Sequence, residues 1–203
     1  MAESRIYTKL GDDGSTGLLF GGRTAKSDPL VDTLGSIDEA VAALGTARAC
    51  CSDQALAPTI LRIQRDLFVV AADLAANPRA RDRLVSGVSL VTPAMTARLE
   101  QQIDEVTAAH PLRPVFVVPG ANPVSAALDV ARTIVRRAER RLVGEQAAAR
   151  DRLGGDGVVG DEAARDDSSR DHRLAYLNRV SDLLFVLARH SAGDDEEPIS
   201  HEG

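Results

Sequence analysis

Apolar residues recur along this chain at steps of three and four, the period of an α-helix, in five separate stretches. From Pro29 to Cys51, Leu30, Leu34, Ile37, Val41 and Leu44 share one face and predict a first helix, weakened by Gly35 and Gly45. Pro58 opens a second, which Ile60, Leu61, Leu67, Phe68, Val70 and Leu74 carry to about Ala76, where Asn77-Pro78 ends it. Thr92 as cap and Pro93 in the first turn start a third, through Leu99, Ile103 and Val106 to about His110. Asn122-Pro123 starts a fourth, in which Val124, Leu128, Ala131, Val135, Ala138 and Leu142 form a bundle seam. The fifth spans His172 to Ser191, with Leu174, Leu177, Val180, Leu184 and Leu187 inward.

The segments between helices read differently. Residues 1–28 carry Gly11, Gly14, Gly17, Gly21 and Gly22, a density that forbids a helix and predicts an arm, with Ser4–Lys9 as a short strand or extended segment. Residues 77–91 predict a loop. The run HPLRPVFVVPGANP has four prolines around an apolar patch and predicts a pinned, extended connector carrying Phe116. Residues 150–172 are acidic and Gly-rich and predict a mobile loop, and residues 192–203 a frayed acidic tail. The expected architecture is all-α: a five-helix bundle over 29–191 with ferritin-like up-down packing and a Gly-rich N-terminal arm outside it.

Composition agrees. The 203 residues suffice for one domain with a core, and aromatics at 3% with abundant Ala favour helix over sheet. A formal net charge of −6 argues against nucleic acid as a partner. Adjacent Cys50 and Cys51 supply no disulfide framework or zinc site and fit a reducing compartment. With no membrane-length apolar run and no signal-like N-terminus, the expected location is the cytoplasm.

Two places stand out chemically. In the arm, Thr8, Lys9, Gly11, Asp12, Gly14, Thr16, Arg23 and Lys26 fit a polyphosphate cradle of backbone amides and cations, and equally a flexible arm with glycine turns. On the fourth helix, Arg132, Arg136 and Arg140 lie four apart on one face, widened by Arg137, Glu139 and Arg141. Such like charges repel, so a triphosphate, acidic neighbours or plain solvation must offset them. Asn178, Asp182, Phe185 and Arg189 line one side of the last helix, as at a ligand or subunit interface or a half-exposed bundle face. No Glu-x-x-His pair, Ser-His-Asp or Cys-His arrangement is legible, and no metal ligand set is expected, with His110 and His172 at helix ends.

The segments YTKLGDDGSTGLLFGGRTAK, GSIDEAVAALG, VFVVPG, VARTIVRRAER and YLNRVSDLLFVLAR, in this order from Ile6 to about Arg189, resemble the successive signatures of PduO-type ATP:corrinoid adenosyltransferases. The resemblance implies a homotrimer with active sites between subunits. It implies ATP held by Thr8, Lys9, Gly11, Thr16, Gly17 and Lys26 of one subunit and by Arg136, Glu139, Arg140 and Asn178 on the helices. It further implies that Asp38 pairs with Arg132 across the interface, and that Phe116 walls the lower face of the corrin.

The implied reaction is attack of cob(I)alamin on the 5′ carbon of ATP with triphosphate leaving, assisted by Mg2+ and arginines. Displacement of the lower axial ligand by Phe116 would give a four-coordinate Co(II) that is easier to reduce. A corrinoid reductase and an adenosylcobalamin-dependent acceptor enzyme are the implied partners. Two positions depart from the family pattern: Ala121 where a second Gly is usual, and Asp129 where His is common. The competing readings are a non-catalytic corrinoid chaperone and an ATP-binding regulatory bundle.

Overall fold

The structure, a computed structural model, describes residues 7–152 and 171–199. Residues 4–6 of the expected N-terminal strand, most of the acidic 150–172 segment and the end of the tail lie outside the described residues.

Among the described residues five α-helices form, α1 (Pro29–Cys50), α2 (Leu56–Ala75), α3 (Pro93–Ala109), α4 (Pro123–Arg152) and α5 (His172–Ala192). The stops and starts have local causes. Asp28 caps α1 by accepting from the Leu30 amide at 2.9 Å, with Pro29 in the first turn. α2 begins two residues before Pro58 because Asp53 Oδ1 accepts from the amides of Ala55 and Leu56. Thr92 holds the cap position of α3 in extended backbone, but its side chain makes no capping bond. α4 runs to Arg152, into the start of the segment expected as loop. Asp171 caps α5 through the Arg173 and Leu174 amides. Burial alone would raise the Asp171 carboxyl, but hydrogen bonds and charge from Arg173 hold it below its usual range.

The helices assemble antiparallel where they pack most. Asp32 and Glu39 of α1 meet Arg141 and Arg137 of α4, and Asp129 and Glu139 of α4 meet Arg189 and Asn178 of α5. α2 packs on α1, and α3 on α5. Ile37, Leu44, Ile60, Ile63, Leu67, Leu99, Leu128, Leu142 and Leu177 are fully buried, each such side chain contributing about 1.5–3 kcal/mol. Gly45 leaves room for Gln64, whose amide donates to the Val41 carbonyl at 2.9 Å. Buried Tyr176 donates to Asp66 at 3.1 Å, and Arg98 pairs with the same carboxylate, so α5, α2 and α3 share one partly buried polar contact. Phe68, one of the apolar residues that carry α2, is 58% exposed and lies outside the core.

Two small antiparallel ribbons decorate the bundle. β1 (Ser15–Gly17) pairs with β2 (Arg23–Ala25) in the N-terminal segment. The turn between them is pinned to the end of α2. Leu19 exchanges backbone bonds with Ala75 and Asn77, and Asn77 Nδ2 donates to the Gly21 carbonyl at 2.9 Å. A Cβ at Gly22 would stand 3.0 Å from that amide, and its φ of +87° suits only glycine well. The second ribbon corrects the expectation of a frayed tail. β3 (Val117–Val118) in the proline-rich connector pairs with β4 (Glu197–Pro198) after α5. Among the described residues no helix is long and apolar enough to cross a membrane.

Candidate functional site

The N-terminal ribbon presents Lys26 beside Gly11: a Cβ on Gly11 would lie 3.2 Å from Lys26 Nζ. Lys26 also donates its amide to the Gly14 carbonyl at 2.8 Å. Lys9 sits at φ +59°, its ammonium 6.0 Å from the Tyr7 ring centre, and the Thr8 hydroxyl accepts from the Leu10 amide. Arg23, by contrast, turns inward on its own loop. It donates to Ser15 Oγ and to the Leu10 carbonyl and pairs with Asp13 at 3.5 Å. Hydrogen bonds from Ser15, then the Arg23 charge, hold the Asp13 carboxyl below its usual range. Thr16 and Gly17 lie in β1. The loop is thus prefolded, with Lys9 and Lys26 as exposed cations that form no ion pair among the described residues.

On α4 the arginines divide. Arg137 and Arg141 turn to α1, where Arg137 pairs with Glu39, and Arg141 pairs with Asp32 at 3.0 Å and donates to Ser36. Arg136 and Arg140 are exposed, and among the described residues no carboxylate pairs with either. Between them, Glu139 accepts from Asn178 Nδ2 at 3.0 Å, joining two of the residues picked out in the sequence. Asp38 is exposed on α1 and forms no ion pair among the described residues.

Arg132, one turn earlier, lies in a cleft of about 350 Å³ with Phe116, Phe185, Asp129, Arg189 and Glu196 on its walls. Phe116 is 86% exposed there. Asp129 accepts from Arg132 at 3.2 Å and from Arg189 at 2.5 Å. Both guanidiniums lie near the Phe185 ring, at 6.0 and 5.5 Å from its centre. Asp129 is therefore the carboxylate that holds two arginines at an aromatic-walled opening.

Within one chain, Phe116 and Arg132 come together, as do Glu139 and Asn178, and Gly11 and Lys26. The N-terminal ribbon does not meet Arg132, Arg136 or Arg140: among the described residues no hydrogen bond or ion pair joins them. The cavity beside the ribbon, about 760 Å³, reaches α4 among the described residues at Glu145 and Gln146. From Glu145 it is about 20 Å along a helix to Arg132 and about 8 Å to Arg140.

Two groups escaped the sequence reading. Buried Asp73 accepts from Arg81 at 2.6 Å and from the Val91 amide at 2.9 Å, anchoring the loop against which the ribbon docks. Buried Glu196 closes the Phe116 cleft. A lone Asp within an apolar helix period is the only signal for the first, and an acid among acids gives none for the second. Among the described residues no three His, Cys, Asp or Glu side chains gather as a metal site.

The chain matches the family model described as cobalamin adenosyltransferase over residues 6–191. It is 37% identical to a corrinoid adenosyltransferase of Citrobacter freundii, covering 91% of this chain and 93% of that protein. It is 38% identical to a corrinoid adenosyltransferase of Mycobacterium tuberculosis, covering 95% and 91%. Its fold is similar to that of a variant PduO-type ATP:corrinoid adenosyltransferase from Lactobacillus reuteri complexed with cobalamin and ATP. That likeness has a TM-score of 0.74 at 29% identity and covers 98% of this chain and 100% of that one.

Proposed function

The chain belongs to the cobalamin adenosyltransferase family and is a corrinoid adenosyltransferase, and on that premise we propose how its own residues divide the work. The reaction transfers the 5′-deoxyadenosyl group of ATP to the cobalt of cob(I)alamin or a related corrinoid. The cobalt lone pair forms the Co–C5′ bond, the C5′–O bond breaks, and triphosphate leaves with that electron pair. No proton moves in this step, so positioning and charge carry it.

The observation behind the assignment is the order of side chains along α4. Arg132 stands in the Phe116 cleft, and Arg136 and Arg140 follow at one and two turns, exposed and without an ion-pair partner among the described residues. One turn is about 5.4 Å, so a corrin against Phe116 and a triphosphate on Arg136 and Arg140 bring cobalt and C5′ to one place. Glu139 and Asn178 orient the nucleoside side of that stretch. Mg2+ enters as the partner of the triphosphate, which supplies its oxygen ligands.

The remaining nucleotide ligands, Thr8, Lys9, Gly11, Thr16, Gly17 and Lys26, lie on the N-terminal segment, which among the described residues makes no hydrogen bond or ion pair with Arg136 or Arg140 of its own chain. A second copy supplies them, and a homotrimer with Asp38 of one copy on Arg132 of the next satisfies all three sites alike. The working location is the cytoplasm. A corrinoid reductase supplies the reduced corrinoid, and an adenosylcobalamin-dependent enzyme takes the product.

Anaerobic incubation with ATP, Mg2+ and chemically reduced cobalamin, shielded from light, tests the activity. The absorption spectrum converts to that of adenosylcobalamin; a corrinoid chaperone or an ATP sensor would leave it unchanged.

A further inference from the structure

Phe116 is the most exposed large apolar side chain of the described residues, on a connector with few contacts of its own. The connector is nevertheless held at several points by the end of α5 and the segment after it. The Ile199 amide donates to the Phe116 carbonyl at 2.9 Å. Val117 and Val118 pair with Pro198 and Glu197. Arg113, on the same connector, donates to the Glu196 carbonyl at 3.2 Å. Asn122, at the connector's far end, donates to the Ser191 carbonyl at 2.7 Å.

Glu196 ties this strap to the bundle. Its side chain is 6% exposed and lies 2.7 Å from Arg189 Nε, an ion pair without hydrogen-bond alignment. Arg189 in turn holds Asp129, which holds Arg132. A carboxylate buried to that depth needs a cation beside it to offset its lost solvation, so the place of Glu196 is set by Arg189. One chain of contacts therefore runs from Arg132 on α4 through Asp129, Arg189 and Glu196 to the backbone behind Phe116.

We propose that Glu196 and the β4 strand position Phe116, making the acidic C-terminal segment part of the corrinoid site. The proposal rests on the reading of Phe116 as the corrin wall. Without the strap, the connector would swing and the ring would no longer exclude the lower axial ligand from cobalt.

The test uses the full-length protein and three variants: Glu196→Gln, Ile199→Pro and Phe116→Ala. Ile199→Pro removes the amide that donates to Phe116, at an exposed position where the lost side chain matters little, and decides the matter should Glu196→Gln lower the melting temperature. Rates are measured from cob(II)alamin with a reductant and from pre-reduced cob(I)alamin. Electron paramagnetic resonance of cob(II)alamin with ATP reports the nitrogen splitting of the lower ligand.

Both strap variants are expected to lose on the order of tenfold more rate from cob(II)alamin than from cob(I)alamin. Nitrogen splitting should persist, and KM for ATP should stay at its normal value. Phe116→Ala should move the same way. A split in Phe116→Ala alone, with both strap variants behaving normally, overturns the strap and leaves the corrin wall standing. No split in Phe116→Ala removes the wall reading and the strap proposal together.

Discussion

Asn178 on α5 donates to Glu139 on α4 at 3.0 Å, while its own carbonyl oxygen accepts from Arg179 at 3.0 Å. Both ends of the amide are fixed, so its orientation toward the Arg136–Arg140 flank is set before any nucleotide arrives. Glu139→Gln removes the charge and frees that orientation. A charge-assisted hydrogen bond is worth about 1.5–3 kcal/mol, so KM for ATP should rise about ten- to a hundredfold. Steady-state kinetics at saturating corrinoid measures it. An unchanged KM would reduce the pair to a strut between two helices.

Arg136 and Arg137 are neighbours with opposite expected roles. Arg136 is exposed and unpaired among the described residues, whereas Arg137 is paired with Glu39. Arg136→Ala should lower kcat on the order of a hundredfold with no change in melting temperature, because it removes charge from the leaving triphosphate alone. Arg137→Ala should leave turnover within about twofold and shift stability by less than about 1 kcal/mol, as partly exposed ion pairs do. Near-normal turnover in Arg136→Ala takes that residue out of the triphosphate site.

The contrast shows which parts of the molecule the amino-acid order makes visible. Pro29, Pro93 and Pro123 mark helix starts because proline acts on its own backbone. The four-residue spacing of Arg132, Arg136 and Arg140 places them on one flank by geometry alone. α2 starts two residues before Pro58 because Asp53 holds the Ala55 and Leu56 amides from outside the helix, inside a polar run where several side chains could serve. β4 was invisible: its partner lies some eighty positions earlier, and a two-residue strand has no period. The separation of Arg137 from Arg136 depends on Glu39 across the helix pair, which no local pattern records.

His190 supplies a dependence on pH. Its ring stacks on His110 with centres 4.1 Å apart, and its Nδ1 is buried without a partner. Desolvation, then the neighbouring His110, pushes the His190 pKa below its ordinary value of 6.5, against a smaller opposing pull from Asp53. The folded state therefore resists protonation while the unfolded chain accepts it. Stability is intact above about pH 6.5 and falls as the pH drops below it. Thermal melts between pH 7.5 and 5.5 should show this loss, and His190→Gln should flatten it. Equal slopes for both proteins would assign the loss to other groups.

Asp38 and Arg132 test the assembly. In a single chain Arg132 already pairs with Asp129 at 3.2 Å and is about a quarter exposed, while Asp38 projects from α1 with no ion-pair partner among the described residues. If Asp38 of an adjacent copy pairs with Arg132, Asp38→Asn removes one partner of a desolvated pair at each of three interfaces. Such losses cost about 2–5 kcal/mol each, enough to move the assembly from trimer to monomer at micromolar concentration and to slow turnover with it. Sedimentation velocity over a range of concentrations reads the first, and the spectral assay the second. The double exchange Asp38→Arg with Arg132→Asp separates a direct pair from a general effect of charge. It should restore part of the trimer, but not full activity, because Arg132 also stands in the Phe116 cleft. A trimer that persists in Asp38→Asn with full turnover would place the contact between copies elsewhere on the molecule.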